Sequence, residues 1–336
     1  MRISAIFLWC VFGFLLVLGF IEARAISRFH GASLRYNTPI SGQAALRARQ
    51  YSIANAERNP FWPTFWHESR LELSAGVQTT QADSILFSGD AALVWPAQFI
   101  VGSAPSVIDS SGIAVSVPLA YRLWGSTDIV GMTVYVNEKP HIVRGVFRGA
   151  EELALLSFHI EDTSQSWTAV ELAGGVAHPT RHSAESFAMA SGLGRPDYVL
   201  MGGAAALARF IAVLPIVIPI LYALALFIRF ARRYYRAAVT PVILAGFIVF
   251  AALLPLVLNN LPAWIIPTHW SDFSFWGQLY RQASHGLREF LSAPPMLRDV
   301  ELKMRLLRQI GILFVSVCCS VAVCFEARRQ MVLKKP

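Results

Sequence analysis

Three stretches hold the side-chain types that hydrolytic or metal chemistry uses. They are "HPTRH" with His178 and His182, "FWHESR" with His67 and Glu68, and "FHIEDTSQS" with His159, Glu161 and Asp162. Two histidines four apart share one face of a helix and can offer two metal ligands. Here Pro179 follows the first of them, and Gly174, Gly175 and Ser183 surround the pair, so the segment reads as a loop. His67 and Glu68 are adjacent, and adjacent side chains point in different directions in any regular structure. The third stretch reads as a solvated turn. The sequence holds no P-loop, no GxSxG elbow and no HExxH, so ATP hydrolysis is not expected of this chain. It reads as a non-enzyme, with no catalytic, metal-binding or cofactor-binding residue assigned.

The composition explains why so few polar constellations exist. Of 336 residues, 55% are hydrophobic and 15% charged, whereas a soluble domain carries about 25% charge. The formal charge is +8, but the basic residues flank apolar runs instead of forming one patch, which is a membrane pattern and not a nucleic-acid one. All four cysteines, Cys10, Cys318, Cys319 and Cys324, lie inside apolar runs. They behave there as small hydrophobes and leave no disulfide framework for the polar middle.

Four apolar runs are long enough, or nearly so, to cross a bilayer: Ile3 to Ile21, Phe210 to Ile228, Ala237 to Leu258, and the shortest, Ile310 to Phe325. Between the second and third lies the acid-free "RFARRYYR", and after the fourth comes "EARRQMVLKKP". Both basic clusters satisfy the positive-inside rule if the chain starts in the cytoplasm. The resulting division is a first span in 1–24, an extracytoplasmic domain in 25–204, and further spans in 205–230, 237–258 and 310–326. An outer loop occupies 259–309 and a cytoplasmic tail 327–336. "ARA" at Ala23 to Ala25 allows the first run to be a cleaved signal peptide, but the run exceeds the usual length of a signal core, which favours a retained span. Pro215, Pro219, Pro241 and Pro255 within the runs are compatible with ordinary kinks or with hinges.

The middle reads as α+β. "SGQAALRARQYSIANAERN" predicts a helix, "FWPTFWHE" a break at Pro63, and "RLELSAGVQTT" and "SILFSGDAALVW" strands. "IAVSV" alternates as a strand, and Pro118 suits the first turn of a helix over "LAYRLWG", which Gly125 stops. "TVYV" and "HIVRGVF" are strands joined by the tight turn "NEKP". In the outer loop, Trp264, Trp270, Phe273, Phe275, Trp276 and Tyr280 favour a headgroup layer. "FWGQLYRQASHGLREFL" reads as an interfacial amphipathic helix.

That order of residues resembles the periplasmic core domain of MacB-like (macrolide-exporter-type) ABC transporter permeases. There a strand precedes a short "LA..LFG" helix, then "D.VG", then a strand pair ending in "VVGV". The residues that carry the resemblance are Leu119, Ala120, Leu123, Trp124, Gly125, Asp128, Val130 and Gly131, followed by Ile142, Val143, Gly145 and Val146. Gly102 and Asp109 in "FIVGSAPSVID" match the approach to the first strand, so the resemblance spans Gly102 to Val146. It implies a bacterial inner-membrane, multi-pass permease subunit with four transmembrane helices and an extracytoplasmic α+β domain between the first and second. It also implies a cytoplasmic ABC ATPase that binds the ATP, and a second permease subunit as homo- or heterodimer. The chain departs from the pattern in its short outside domain and in its acid-free cytoplasmic loop. That departure keeps open the alternative of a membrane-anchored extracytoplasmic binding or sensor protein without an ATPase. Arg229, Arg232, Arg233, Tyr234, Tyr235 and Arg236 are the candidate contacts, either for the ATPase or for anionic lipid.

Overall fold

A computed structural model describes residues 3–57, 61–174, 179–234 and 274–333, with the single positions 244 and 251. The chain divides into two compact units. One comprises Met1–Ser27, Gly203–Arg281 and Glu301–Pro336; the other comprises Arg28–Gly202 and Gln282–Val300.

The first unit contains α1 (Ile3–Ile26) and α6 (Ala204–Tyr234), with part of α7 (Ser274–Ser292) and most of α8 (Leu297–Leu333). Among the described residues, three helices are long and apolar enough to cross a membrane: Ile6–Ile26, Leu207–Leu226 and Leu297–Glu326. The expected span at 237–258 lies outside the described residues except for positions 244 and 251, and Pro241 and Pro255 lie outside them too. The helix of the last span starts well before the expected 310, because the polar "LRDVELKMRLLRQ" continues the same helical ladder. Glu22 ends the uncharged run of α1 without ending the helix. Its carboxylate accepts from Arg308 at 2.8 Å and lies 3.7 Å from Arg305, so the acid is neutralised within the unit. α6 continues through Pro215 and Pro219.

The second unit is α+β. Its elements in chain order are β1 (Ala32–Ser41), α2 (Gly42–Ala54), β2 (Phe61–Ala75), β3 (Gln78–Ser88), α3 (Ala91–Val94), β4 (Gln98–Gly102) and β5 (Gly112–Ser116). These are followed by α4 (Val117–Trp124), β6 (Thr133–Val136), β7 (Lys139–Arg148), β8 (Leu153–Ser157), β9 (Ser166–Gly174), α5 (Arg181–Ala190) and β10 (Tyr198–Met201). The strands order as β10-β1-β9-β2-β3-β8-β5-β7-β4, and β6 pairs with both β2 and β7. The pairings β2-β3-β8-β5-β7-β6 therefore close a ring. Its core is Leu73, Ile113, Val115, Val134, Val143 and Val146, completed by Leu119, Ala120 and Leu123 of α4.

Local chemistry accounts for the motif region. Gly125 takes φ +68 as the left-handed stop of α4. Asn137 and Glu138 both have positive φ, as a two-residue hairpin turn between right-twisted strands requires. β5 and β7 run parallel, so α4 with β6 forms the crossover between them.

"FWPTFWHE" is not a break but the start of the long strand β2. Pro63 pairs opposite Leu172 of β9, whereas β3 joins β2 only from Phe65. The proline lies where β2 has one neighbour, an edge-like position that tolerates a missing N–H. "SILFSGDAALVW" is likewise part strand and part helix. Asp90 caps α3 by accepting from the Ala92 N–H at 2.9 Å.

Pleating separates the side chains of this sheet into two faces. One face buries Leu34, Phe65, Trp167, Val170 and Leu172 beneath α2 and α5. The other presents Trp66, Ile85, Phe87, Leu155 and Ala169, against which α3, Met296 and Leu297 pack.

Candidate functional site

The second face carries a cluster of charges buried to a degree that isolated ions do not tolerate. Ser33 and Arg35 alternate along β1, opposite Glu171 and Ala169 of β9, and Trp66 and Glu68 follow on β2. Period-two pleating puts all of them on one side. The first turn of α8 supplies Arg298 and Asp299. Arg35, Glu171, Arg298 and Asp299 are each 5% exposed or less.

The contacts are specific. Arg35 Nη2 donates to Asp299 Oδ1 at 2.9 Å and lies 3.6 Å from Glu171 Oε1. Glu171 Oε1 accepts from Ser33 Oγ at 2.6 Å and from Trp66 Nε1 at 3.0 Å. Glu171 Oε2 lies 3.4 Å from Arg298 Nη2. The Arg35 guanidinium stacks 4.6 Å from the Trp66 ring centroid, and Arg298 lies 5.4 Å from that of Phe29. Burial pulls the Arg298 guanidinium below the usual arginine range, against the opposing pull of Glu171.

Glu68, half-buried, borders the set. Its Oε1 accepts from the Leu297 N–H at 2.5 Å, capping α8 from another element of the fold. Burial is the largest influence on its carboxyl and, helped by Asp299, raises it from 4.5 to about 7; the backbone hydrogen bonds of Leu297 and Arg298 and the charge of Arg35 oppose the rise.

A second anchor lies on α5 and α7. Arg181 forks onto both oxygens of Glu289, donating from Nη2 to Oε1 at 2.6 Å and from Nη1 to Oε2, and also donates to Glu185 at 3.0 Å. Residues 282–300 thus belong with the α+β unit, although sequence reading leaves them in an outer loop at the lipid surface.

The sequence-derived polar clusters do not converge. His67 turns to the opposite face from Glu68 and packs edge-on to Trp167, ring centroids 5.5 Å apart, where burial lowers its pKa. His178 lies outside the described residues, and His182 is an exposed residue of α5. The expected loop around His182 is therefore a helix, which Thr180 caps by accepting from the Ser183 N–H. His159 contacts the Ile108 carbonyl, while Asp162 accepts from Ser164 Oγ at 2.6 Å in the expected solvated turn. Arg229 is exposed near the end of α6; Arg232, Arg233 and Tyr234 form the last turn of that helix; Tyr235 and Arg236 lie outside the described residues.

The residues shared with the permease motif have structural work within the domain. Asp109 accepts from Arg144 Nε at 2.6 Å, which holds its carboxyl below the usual range even against burial. Gly102 pairs with Gly145, and a Cβ on Gly102 would stand 2.1 Å from the Arg144 carbonyl oxygen.

No protein-family model and no curated protein matches the chain. Among solved structures it is similar to the extracellular domain of the noncanonic ABC-type transporter YknZ from Gram-positive bacteria. That likeness has 11% identity and a TM-score of 0.40, covering 50% of this chain and 97% of that one. It is also similar to the periplasmic region of MacB from Actinobacillus actinomycetemcomitans, with 11% identity and a TM-score of 0.41, covering 51% of this chain and 87% of that one. At these values no residue correspondence follows.

Proposed function

We propose that the chain is a permease-type subunit of an ABC-type transporter, converting movement of its membrane helices into movement of an extracytoplasmic α+β domain. The observation that carries the reading is the continuity of α8. Its first turn is built into the sheet face through Arg298 and Asp299, and the same helix runs on through a candidate span to Leu333. The neighbouring connections are also short: α1 ends at Ile26 and β1 starts at Ala32, while β10 ends at Met201 and α6 starts at Ala204. β1 and β10 pair antiparallel, and the Gly202 N–H donates to the Gly31 carbonyl at 2.8 Å. Short linkers and a buried ionic anchor favour transmission of force over a freely tethered domain.

On this reading the chain is a four-span inner-membrane protein of bacteria, with the domain outside between the first two spans. Its role is mechanical and not catalytic. A separate cytoplasmic ATPase binds and hydrolyses ATP, and a second permease subunit completes a two-fold assembly. Arg229, Arg232, Arg233, Tyr234, Tyr235 and Arg236 form the contact with the ATPase or with anionic lipid. The sequence resemblance over Gly102 to Val146 and the two basic clusters support these assignments.

Purification of the full chain in mild detergent, followed by reconstitution with the ATPase that accompanies it, tests the proposal. The permease reading requires an ATPase to follow the chain and its activity to respond to the chain's presence. If no ATPase follows under any detergent tried, the anchored binding or sensor protein takes its place.

A further inference from the structure

The charge balance beneath the first turn of α8 depends on one proton. Arg35 and Arg298 supply two positive charges, and Glu171 and Asp299 supply two negative ones, all within side chains 6% exposed or less. These four cancel without Glu68. An ionised Glu68 adds one negative charge that no further buried cation among the described residues matches. Arg35 faces Glu68 from β1, Glu171 lies beyond it on β9, and α8 contributes Arg298 and Asp299. Across the β2–β3 pair the partner of Glu68 is Ile85, which carries no charge. His67, next in its own strand, faces Trp167 on the other side of the sheet.

We propose that Glu68 is a proton-operated latch for the first turn of α8: the neutral side chain lets Met296–Val300 dock on the β1–β9–β2 face, and its ionisation loosens that docking. The geometry supports such coupling, because the half-buried Glu68 carboxyl holds the Leu297 N–H and becomes fully hydrated only when that contact opens. The docked carboxyl titrates near 7, against 4.5 for a hydrated one. A docked form that holds its proton more tightly is favoured at low pH. Docking is therefore strongest below about 4.5, weakens by up to tenfold per pH unit as pH rises toward about 7, and changes no further above it. Such a latch would make the grip of the domain on α8 answer to extracytoplasmic pH, whichever partner drives the spans.

The test is amide hydrogen exchange on the full chain in lipid nanodiscs from pH 5 to pH 8, with intrinsic rates corrected, read at residues 296–300. Strands β5 and β8, remote from the cluster, serve as the internal reference. Protection at 296–300 is expected to fall by up to about tenfold per pH unit below pH 7 and then level off, with the reference unchanged. In Glu68→Gln the same residues should show no such slope. Protection that is flat in the unsubstituted chain, or a slope that survives Glu68→Gln, overturns the latch. Should that variant fail to fold, Asp299→Asn removes a charge that pushes the Glu68 carboxyl upward, so the midpoint must move to lower pH. An unmoved midpoint also overturns the proposal. No ATPase enters the assay, so its outcome is separate from that of the permease reading.

Discussion

Arg35 of β1 and Asp299 of α8, separated by 264 positions in the chain, meet through a 2.9 Å hydrogen bond between side chains that are each 5% exposed or less. Their pairing fastens residues 296–300 to the sheet within the α+β unit.

Removing one partner of this pair should be severe. With Glu68 protonated, Asp299→Ala leaves Arg35 and Arg298 sharing Glu171 and is expected to cost about 3–5 kcal/mol, because an uncompensated buried charge remains. Urea unfolding of the full chain in detergent, followed through the buried Trp66 and Trp167, measures it. The double substitution Arg35→Met with Asp299→Leu should recover part of the loss, since two apolar groups need no solvation.

The second anchor should matter less. Arg181 and Glu289 side chains are 38% and 16% exposed, and solvent screening limits such a pair to about 1 kcal/mol. A double-mutant cycle with Arg181→Gln and Glu289→Gln should return a coupling of that order. Arg181 holds the Glu289 carboxyl below its ordinary 4.5. The contribution is therefore complete above 4.5 and is lost as pH falls through the depressed value. A coupling that persists unchanged well below that range would contradict the pairing.

Gly145→Ala should disrupt the β4 edge. A Cβ there would stand 2.5 Å from the Ser103 carbonyl oxygen and 2.7 Å from the Ser103 nitrogen, both backbone atoms that cannot rotate away. A loss of about 2–3 kcal/mol is expected, at the upper end for a single substitution. Limited proteolysis near residues 98–105 should report it as faster cleavage.

The basic end of α6 yields a directional prediction. If Arg229, Arg232, Arg233 and Arg236 contact the ATPase, changing all four to Gln should lower the stimulated ATPase rate by about tenfold, matching a loss near 1.4 kcal/mol. Full stimulation would leave the cluster to lipid, with vesicle binding to anionic headgroups reduced instead.

The sequence was most informative where the governing physics is local. Pro118 and Gly125 bracket α4 at their own positions, and "NEKP" carries the turn in which Asn137 and Glu138 take positive φ. Apolar runs likewise announce α1, α6 and the later part of α8. Pro63 misled, because proline's rule depends on which side of a strand is paired, and that is known only once β3 is seen to join at Phe65. β9 lacks clean alternation since both of its faces are buried. The charged cluster was not legible at all. Arg35, Glu68, Glu171 and Asp299 stand in four separate elements, and no spacing within any one of them signals an ionic partner. The one available hint was "ELKMRLLRQ" before the last apolar run, polar yet free of helix breakers.

On the permease reading the α+β unit lies on the far side of the membrane from the basic loop. Val77, 96% exposed in the β2–β3 turn, offers a site for testing it. With Cys10, Cys318, Cys319 and Cys324 replaced by Ala, Val77→Cys should react with a membrane-impermeant maleimide in intact spheroplasts, as fully as after lysis. Labelling that appears only once the membrane is broken would place the domain in the cytoplasm and contradict the account.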